Sequence, residues 1–216
     1  MRPAPHSVNM DATPDNRFTH SQASHRSDSM AMKNSTGGYG LVAIVLHWLV
    51  ALVVIAMFAL GLWMVELTYY DVWYKRAPDL HKSIGILLFL VMLARLLWRS
   101  VNVIPSDEPD LTRLERQLAH ATHKLLYLLL FAVMLSGYLI STADGRPIEV
   151  FGLVSVPALL SDIPNQEDLA GRVHLILAIT LISLAGIHAL AALKHHFIDR
   201  NRTLKKMLRP VNKLQP

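Results

Sequence analysis

The chain has 216 residues, of which 52% are hydrophobic and only 17% charged, and its apolar residues are gathered into long blocks. An ordinary soluble domain does not look like this; membrane spans do. The absence of cysteine excludes disulfides, iron–sulfur clusters and thiolate metal sites, which leaves the eleven histidines as the main candidate ligands. The net charge of +5 does not argue for nucleic acid, because the basic residues are distributed as membrane topology would place them.

Residues 1–38 form a polar arm rich in Ser, Asn, Asp, Pro and His. Such a segment cannot bury enough apolar surface to fold alone, and it lacks the apolar core of a secretory signal. Met30 or Met32 would make a natural start, so the arm is read as a disordered extension with an open translation start and incidental histidines. The core domain is expected over residues 39–200, followed by a basic tail at 201–216.

Four apolar stretches lie at about Leu41–Val65, Leu80–Trp98, Leu118–Ile140 and Val173–Leu193. Each approaches the ~20 residues that cross a hydrocarbon layer as a helix, the only open-chain structure that satisfies its backbone there. The expected fold is therefore all-α, an integral membrane four-helix bundle in contact with lipid. Sixteen of the 21 Lys and Arg lie in the arm, between Arg95 and Lys124, or from Lys194 onward. The positive-inside rule then places the N and C termini in the cytoplasm. Trp48, Trp63, Trp73, Trp98, Tyr69 and Tyr70 fall near span ends, as interfacial anchors do. The loop at 141–172 contains "RPIEVFGLVSVPALL", expected to be a short element on the outer membrane surface.

Histidines supply the chemistry. His174 and His188 are fourteen residues apart in the fourth span, which puts them within about 40° of one helix face and about 21 Å apart along it. His47 enters the first span from the inner side and His81 begins the second from the outer side. Depth pairs His47 with His188 and His81 with His174. Ionisable groups inside a bilayer are costly and usually functional, and facing imidazoles in a bundle core suit bis-axial ligation of haem iron. A lone membrane histidine is more simply a satisfied helix-packing group, and paired ones can also form Zn or Cu sites or a proton relay.

Gly61 follows His47, and Gly137 follows His123, by fourteen residues. A glycine at the outer level would let a macrocycle approach the backbone, although glycine is also common where membrane helices pack. Arg95, fourteen residues after His81, could meet a haem propionate or a quinone carbonyl, or snorkel to the headgroups. His120 and His123 compete with His47 and His188 for the inner level. His120 is interfacial, while His123 is deep enough to meet a propionate or quinone. His47 and His188 are preferred because their flanks are wholly apolar. His195 and His196 belong to a solvated basic tail.

The stretches "VLHWLVALVVIAMFALGLWM", "APDLHKSIGILLFLVMLARLLWR", "LSGYLISTADGRPIEVFGL" and "ALKHHFIDR" resemble the bacterial di-haem cytochrome b561 family over roughly residues 39–208. The resemblance implies an inner-membrane protein with two b-type haems held by His47, His81, His174 and His188. It also implies electron transfer between an outer donor or acceptor and ubiquinone, with a superoxide:ubiquinone oxidoreductase as the nearest type. The outer loops at 66–82 and 141–172 hold five Lys or Arg against eight Asp or Glu. An anion such as superoxide would therefore depend on a local cluster, for which Lys75, Arg76, Lys82 and Arg146 are the candidates. Competing readings are a cytochrome b subunit docking a peripheral redox partner, as in a hydrogenase or formate dehydrogenase, and a histidine-lined metal-ion transporter. A transporter would show broken helices, whereas these spans are mostly uninterrupted.

Overall fold

The computed structural model describes residues 31–161 and 163–211. Residues 1–30 of the arm and the last residues of the tail lie outside the described part. Four long helices dominate: α1 (Leu41–Met64), α2 (Arg76–Val101), α3 (Arg113–Ser141) and α4 (Gln166–Phe197), each long and apolar enough to cross a membrane. A two-stranded hairpin, β1 (Ile148–Val150) and β2 (Val154–Val156), lies in the α3–α4 connection, and a short helix α5 (Thr203–Leu208) follows α4.

Three of the spans, α2, α3 and α4, are longer as helices than as apolar runs, because their ends continue into polar sequence, whereas α1 stops one residue short of its run. The first turn of α3 is held by a capping box: Glu115 N donates to Thr112 Oγ1 at 3.2 Å, and Thr112 N donates to Glu115 Oε2 at 3.1 Å. This occupies two of the backbone donors that a helix start leaves free. Pro78 sits in the first turn of α2, where its missing N–H costs no intrahelical bond.

α1 packs mainly on α2 and α3 mainly on α4, with α2 joining the two pairs and α1 touching α4 only sparsely. The buried core is a cluster of Val50, Leu88, Met92, Leu129, Leu130 and Leu181, one or two residues from each helix. Outward-facing side chains are just as apolar: Leu52, Ile55, Leu97, Leu128, Ile176 and Leu190 are all more than half exposed. A bundle greasy both inside and out is soluble only in lipid.

The element expected on the outer surface is the hairpin. Its Ile148↔Val156 and Val150↔Val154 register is closed by Phe151 at φ 53° and Gly152 at φ 69°. Ser83 of α2, 2% exposed, accepts from Phe151 N at 3.0 Å and donates to Glu149 O at 3.4 Å, which pins the hairpin to the start of α2. Its tip stays uncovered, with Leu153 84% exposed.

At the opposite end the segment before α1 and the segment around α5 are interlocked. Ala31 N donates to Val211 O and Val211 N to Tyr39 O, both at 3.0 Å, while Trp48 Nε1 donates to Met207 O at 2.8 Å. Ser106 of the α2–α3 connection joins through Thr36 O and Lys206 Nζ. This end is termed inner and the hairpin end outer, following the orientation expected from charge.

Removing the Thr112 hydroxyl should fray the start of α3. Thr112→Ala is expected to cost about 1 kcal/mol, read as a lower unfolding midpoint in detergent titrated with SDS. An unchanged midpoint would mean that the Glu115–Lys194 ion pair alone holds that turn.

Candidate functional site: two levels of imidazoles

Alternating helix direction brings the polar residues of the spans together at two depths. At the outer level the rings of His81 (α2) and His174 (α4) face each other with centroids 6.3 Å apart and planes at 71°. His174 Nδ1 lies 2.9 Å from Val133 O and 3.1 Å from Ser136 Oγ, and Ser136 Oγ donates to the same carbonyl at 2.9 Å. A carbonyl only accepts, so Nδ1 carries the hydrogen and Nε2 is left with a free lone pair. His81 Nδ1 is buried without a hydrogen-bond partner.

The two glycines at this level stand against the two rings. A Cβ at Gly137 would lie 3.1 Å from His174 Cε1, and one at Gly61 would lie 3.4 Å from His81 Cε1. Each ring therefore occupies space that a side chain on the neighbouring helix would take.

The inner level holds His47 (α1), Arg95 (α2), His123 (α3) and His188 (α4). The His123 and His188 rings pack edge to face at 5.0 Å. Arg95 reaches two helices: Nη2 donates to His47 Nδ1 at 2.8 Å, Nη1 to Leu46 O at 3.5 Å, and Nε to Tyr127 Oη of α3 at 3.0 Å. The guanidinium also lies 5.6 Å from the Tyr127 ring centroid. No carboxylate among the described residues pairs with it. Trp48 sets its ring edge-on to His47 at 5.5 Å.

Between the levels lies the apolar cluster, with Phe89 and Phe131 stacked edge to face at 5.8 Å. On every helix the cluster residues fall between the inner and outer polar positions in sequence.

A tetrapyrrole iron fits this donor set. A ligand nitrogen stands about 2 Å from its metal with the ring centre about 1 Å beyond, so two rings on opposite sides of one ion have centres about 6 Å apart. His81 and His174 have that separation and approach from opposite helices. The free Nε2 of His174, the unpartnered Nδ1 of His81 and the glycines beside both rings all agree with a bound macrocycle. Sequence reasoning did not identify Tyr127, Ser136 or the Val133 carbonyl. Tyr127 lies four residues after His123 and so on its face, a signal that was available; the Val133 carbonyl had none.

The remaining candidates are dispersed. His120 pairs with Asp107 at 3.3 Å, and His195 with Asp199 at 2.6 Å. Glu115, His195 and Asp199 come close enough to hold a metal ion, but Lys194 Nζ already takes both carboxylates, at 3.0 and 2.9 Å. At the outer face Lys82 pairs with Asp79 at 2.9 Å and Arg146 with Asp144. The Asp144 carboxyl is held below its usual range by the Arg146 backbone N–H and then by the Arg146 side chain. Lys75 and Arg76 flank a shallow depression with Tyr69, Asp71 and Tyr74.

Four membrane helices with imidazoles facing at matched depths define a membrane cytochrome b. A family profile described as prokaryotic cytochrome b561 matches residues 38–210, and the chain belongs to that family. It is 52% identical over 179 residues to Cytochrome b561 homolog 2 of Escherichia coli (strain K12), covering 83% of this chain and 95% of that protein. It is 32% identical over 171 residues to Probable superoxide oxidase CybB of Yersinia pestis, covering 79% and 95% respectively. The chain is accordingly a multi-pass inner-membrane oxidoreductase of a haem-b-binding, electron-transferring family.

The glycine contacts predict unequal tolerance. Gly137→Val should push His174 aside and lower haem b per protein, measured by the pyridine haemochrome, to half or less. Gly61→Ala, with ordinary contact distances, should keep its haem. Equal haem content in both variants would contradict the packing described.

Proposed function

We propose that the protein moves electrons across the inner membrane from superoxide at the outer face to ubiquinone, through two b-type haems stacked between the helices. His81 and His174 hold the outer haem, and His47 and His188 the inner one, with both termini in the cytoplasm. The observation that carries this reading is the facing His81–His174 pair, 6.3 Å apart, with glycine beside each ring. The similarity to a protein named as a probable superoxide oxidase supports the choice of donor.

When bound, haem supplies a one-electron iron couple, and the protein's part is to place and tune it. Two superoxide ions would each give up one electron and leave as dioxygen, and one ubiquinone would take both electrons with two protons to become the quinol. The chain's own residues divide this work. His174, its Nδ1 hydrogen directed at Val133 O, presents Nε2 inward. The mid-depth cluster keeps water from linking the levels. Arg95 brings a cation with no carboxylate partner among the described residues to the inner level, where it would be available to a haem propionate, and His123 would be available to a propionate or the quinone.

Ligation by His47 requires a change from the arrangement described, because its Nδ1 accepts from Arg95 and so its hydrogen sits on Nε2. Neutral His47 could bind iron through Nε2 only with its hydrogen moved to Nδ1, which would release the arginine contact.

Single His→Ala changes test the ligand set. Variants at His81 or His174 are expected to lose one haem, variants at His47 or His188 the other, and His123→Ala to keep both, all read from reduced visible spectra per mole of protein. Loss of a haem in His123→Ala with retention in His47→Ala would replace the inner pair by His123 and His188. In the wild type, anaerobic mixing with superoxide should reduce the haems, and added ubiquinone should reoxidise them; a superoxide-inert preparation would exclude the donor.

Charge reversal tests the outer approach. Lys82 and Arg146 are already neutralised by neighbouring carboxylates, so Lys75 and Arg76 should dominate attraction of the anion. Lys75→Glu with Arg76→Glu should slow reduction by superoxide, most at low salt. The same reversal at Lys82 and Arg146 should do less; identical salt profiles for both pairs would remove the steering argument.

A further inference from the structure

We infer that Tyr127 is a positioning residue for the inner haem: its hydroxyl fixes the Arg95 side chain at Nε so that both terminal nitrogens of the guanidinium are offered to a carboxylate. The inference rests on the two-haem reading above and concerns a residue that reading does not use.

The argument begins with charge. Arg95 lies within a membrane-spanning helix, and no carboxylate among the described residues neutralises it. A cation held in hydrocarbon without an anion is expensive, and its usual resolution is an anionic group from elsewhere. Its three hydrogen-bond contacts are of two kinds. Those of Nη1 and Nη2 go to α1, the first long at 3.5 Å and the second to an imidazole nitrogen of a candidate iron ligand. Both can be exchanged. The Nε contact goes to the Tyr127 hydroxyl at 3.0 Å, on a different helix and on a side chain with no role in ligation.

Geometry then assigns the parts. Nε joins the guanidinium plane to the side-chain stem and its N–H lies in that plane, so a bond there orients the plane while leaving Nη1 and Nη2 available. These two nitrogens form the fork that receives a carboxylate in two-point fashion. The ring of Tyr127 lies beside the guanidinium as well, 5.6 Å from its carbon, which adds a cation–π contact to the hydroxyl bond. Without the hydroxyl the long side chain is free to snorkel to the inner headgroups, and its charge recedes from the haem level.

A cation close to an iron centre favours the reduced state, which carries one positive charge fewer. Tyr127→Phe removes only the hydroxyl. It should leave both haems bound and lower the midpoint potential of one, measured by spectroelectrochemical titration. The expected change is about threefold in that haem's reduction equilibrium, or about 30 mV at 59 mV per tenfold for one electron. The affected transition should be the one that survives in His174→Ala, which keeps the inner haem alone. Arg95→Lys keeps the charge but has no Nε to hold, so adding Tyr127→Phe to it should shift nothing further. No shift in Tyr127→Phe, an equal shift of both haems, or full additivity on Arg95→Lys would each overturn the inference while leaving the two-haem reading intact. A wild-type preparation with a single haem or none would overturn both.

Discussion

A polar side chain inside a lipid-solvated bundle has no water to fall back on, and this constraint sets the arrangement of all four helices. The imidazoles of His47, His81, His123, His174 and His188 and the Arg95 guanidinium lie at the two polar levels of the spans, and each must find an answering group on a neighbouring helix or remain orphaned. Depth along the helix and rotation about its axis are both fixed by that search. α3 is held to α4 at the outer level by His174 on Val133 O and at the inner level by the His123–His188 ring contact. α2 is tied to α1 and α3 through Arg95. α1 and α4 share little direct contact, although both carry inner-level imidazoles.

The apolar slab between the levels follows from the same constraint. The two imidazoles of α4 lie fourteen residues apart, about 21 Å of helix rise, and everything between them can be hydrocarbon. Val50, Leu88, Met92, Leu129, Leu130 and Leu181 fill that interval from all four helices. A low-dielectric slab of hydrocarbon side chains offers protons no chain of hydrogen-bonding groups, which agrees with the proposed passage of charge as electrons. Packing and function therefore ask for the same residues in the middle of the bundle.

What could be read in the sequence is what depends on local pattern. Span number, order and the depth of each histidine follow from hydropathy and from 1.5 Å per residue; α2, α3 and α4 contain their expected spans with added polar turns, while α1 matches its span to within one residue. Those extra turns depend on caps such as Thr112 and Glu115, which lie outside the apolar run. The outer element was legible as apolar residues ended by Pro157, but its form as a hairpin was not: its strands are three residues each and its turn places Phe151 at positive φ. Partner choice was the hardest to foresee. Whether His123 or His47 stands beside His188 depends on helix rotation by a few tens of degrees, which no spacing rule resolves. Tyr127 lies in an apolar run, and only the Arg95 side chain reaching it from α2 sets it apart.

The two levels also differ in how far their donors are prepared for a metal. At the outer level the hydrogen of His174 is committed to a backbone carbonyl, which cannot be lost by substitution and leaves the Nε2 lone pair free. Ser136 reinforces this by donating to the same oxygen. At the inner level the groups are satisfied by one another: His123 packs on His188, and His47 accepts from Arg95. Such contacts must be exchanged before either imidazole can bind iron, whereas the outer pair needs only to receive it. A site whose ligands are oriented in advance gives up less of its binding energy to reorganisation. Under the proposed two-haem reading the outer level should take up haem first, and the sparse α1–α4 contact would let the inner level open afterwards without unpacking the α3–α4 pair that orients His174.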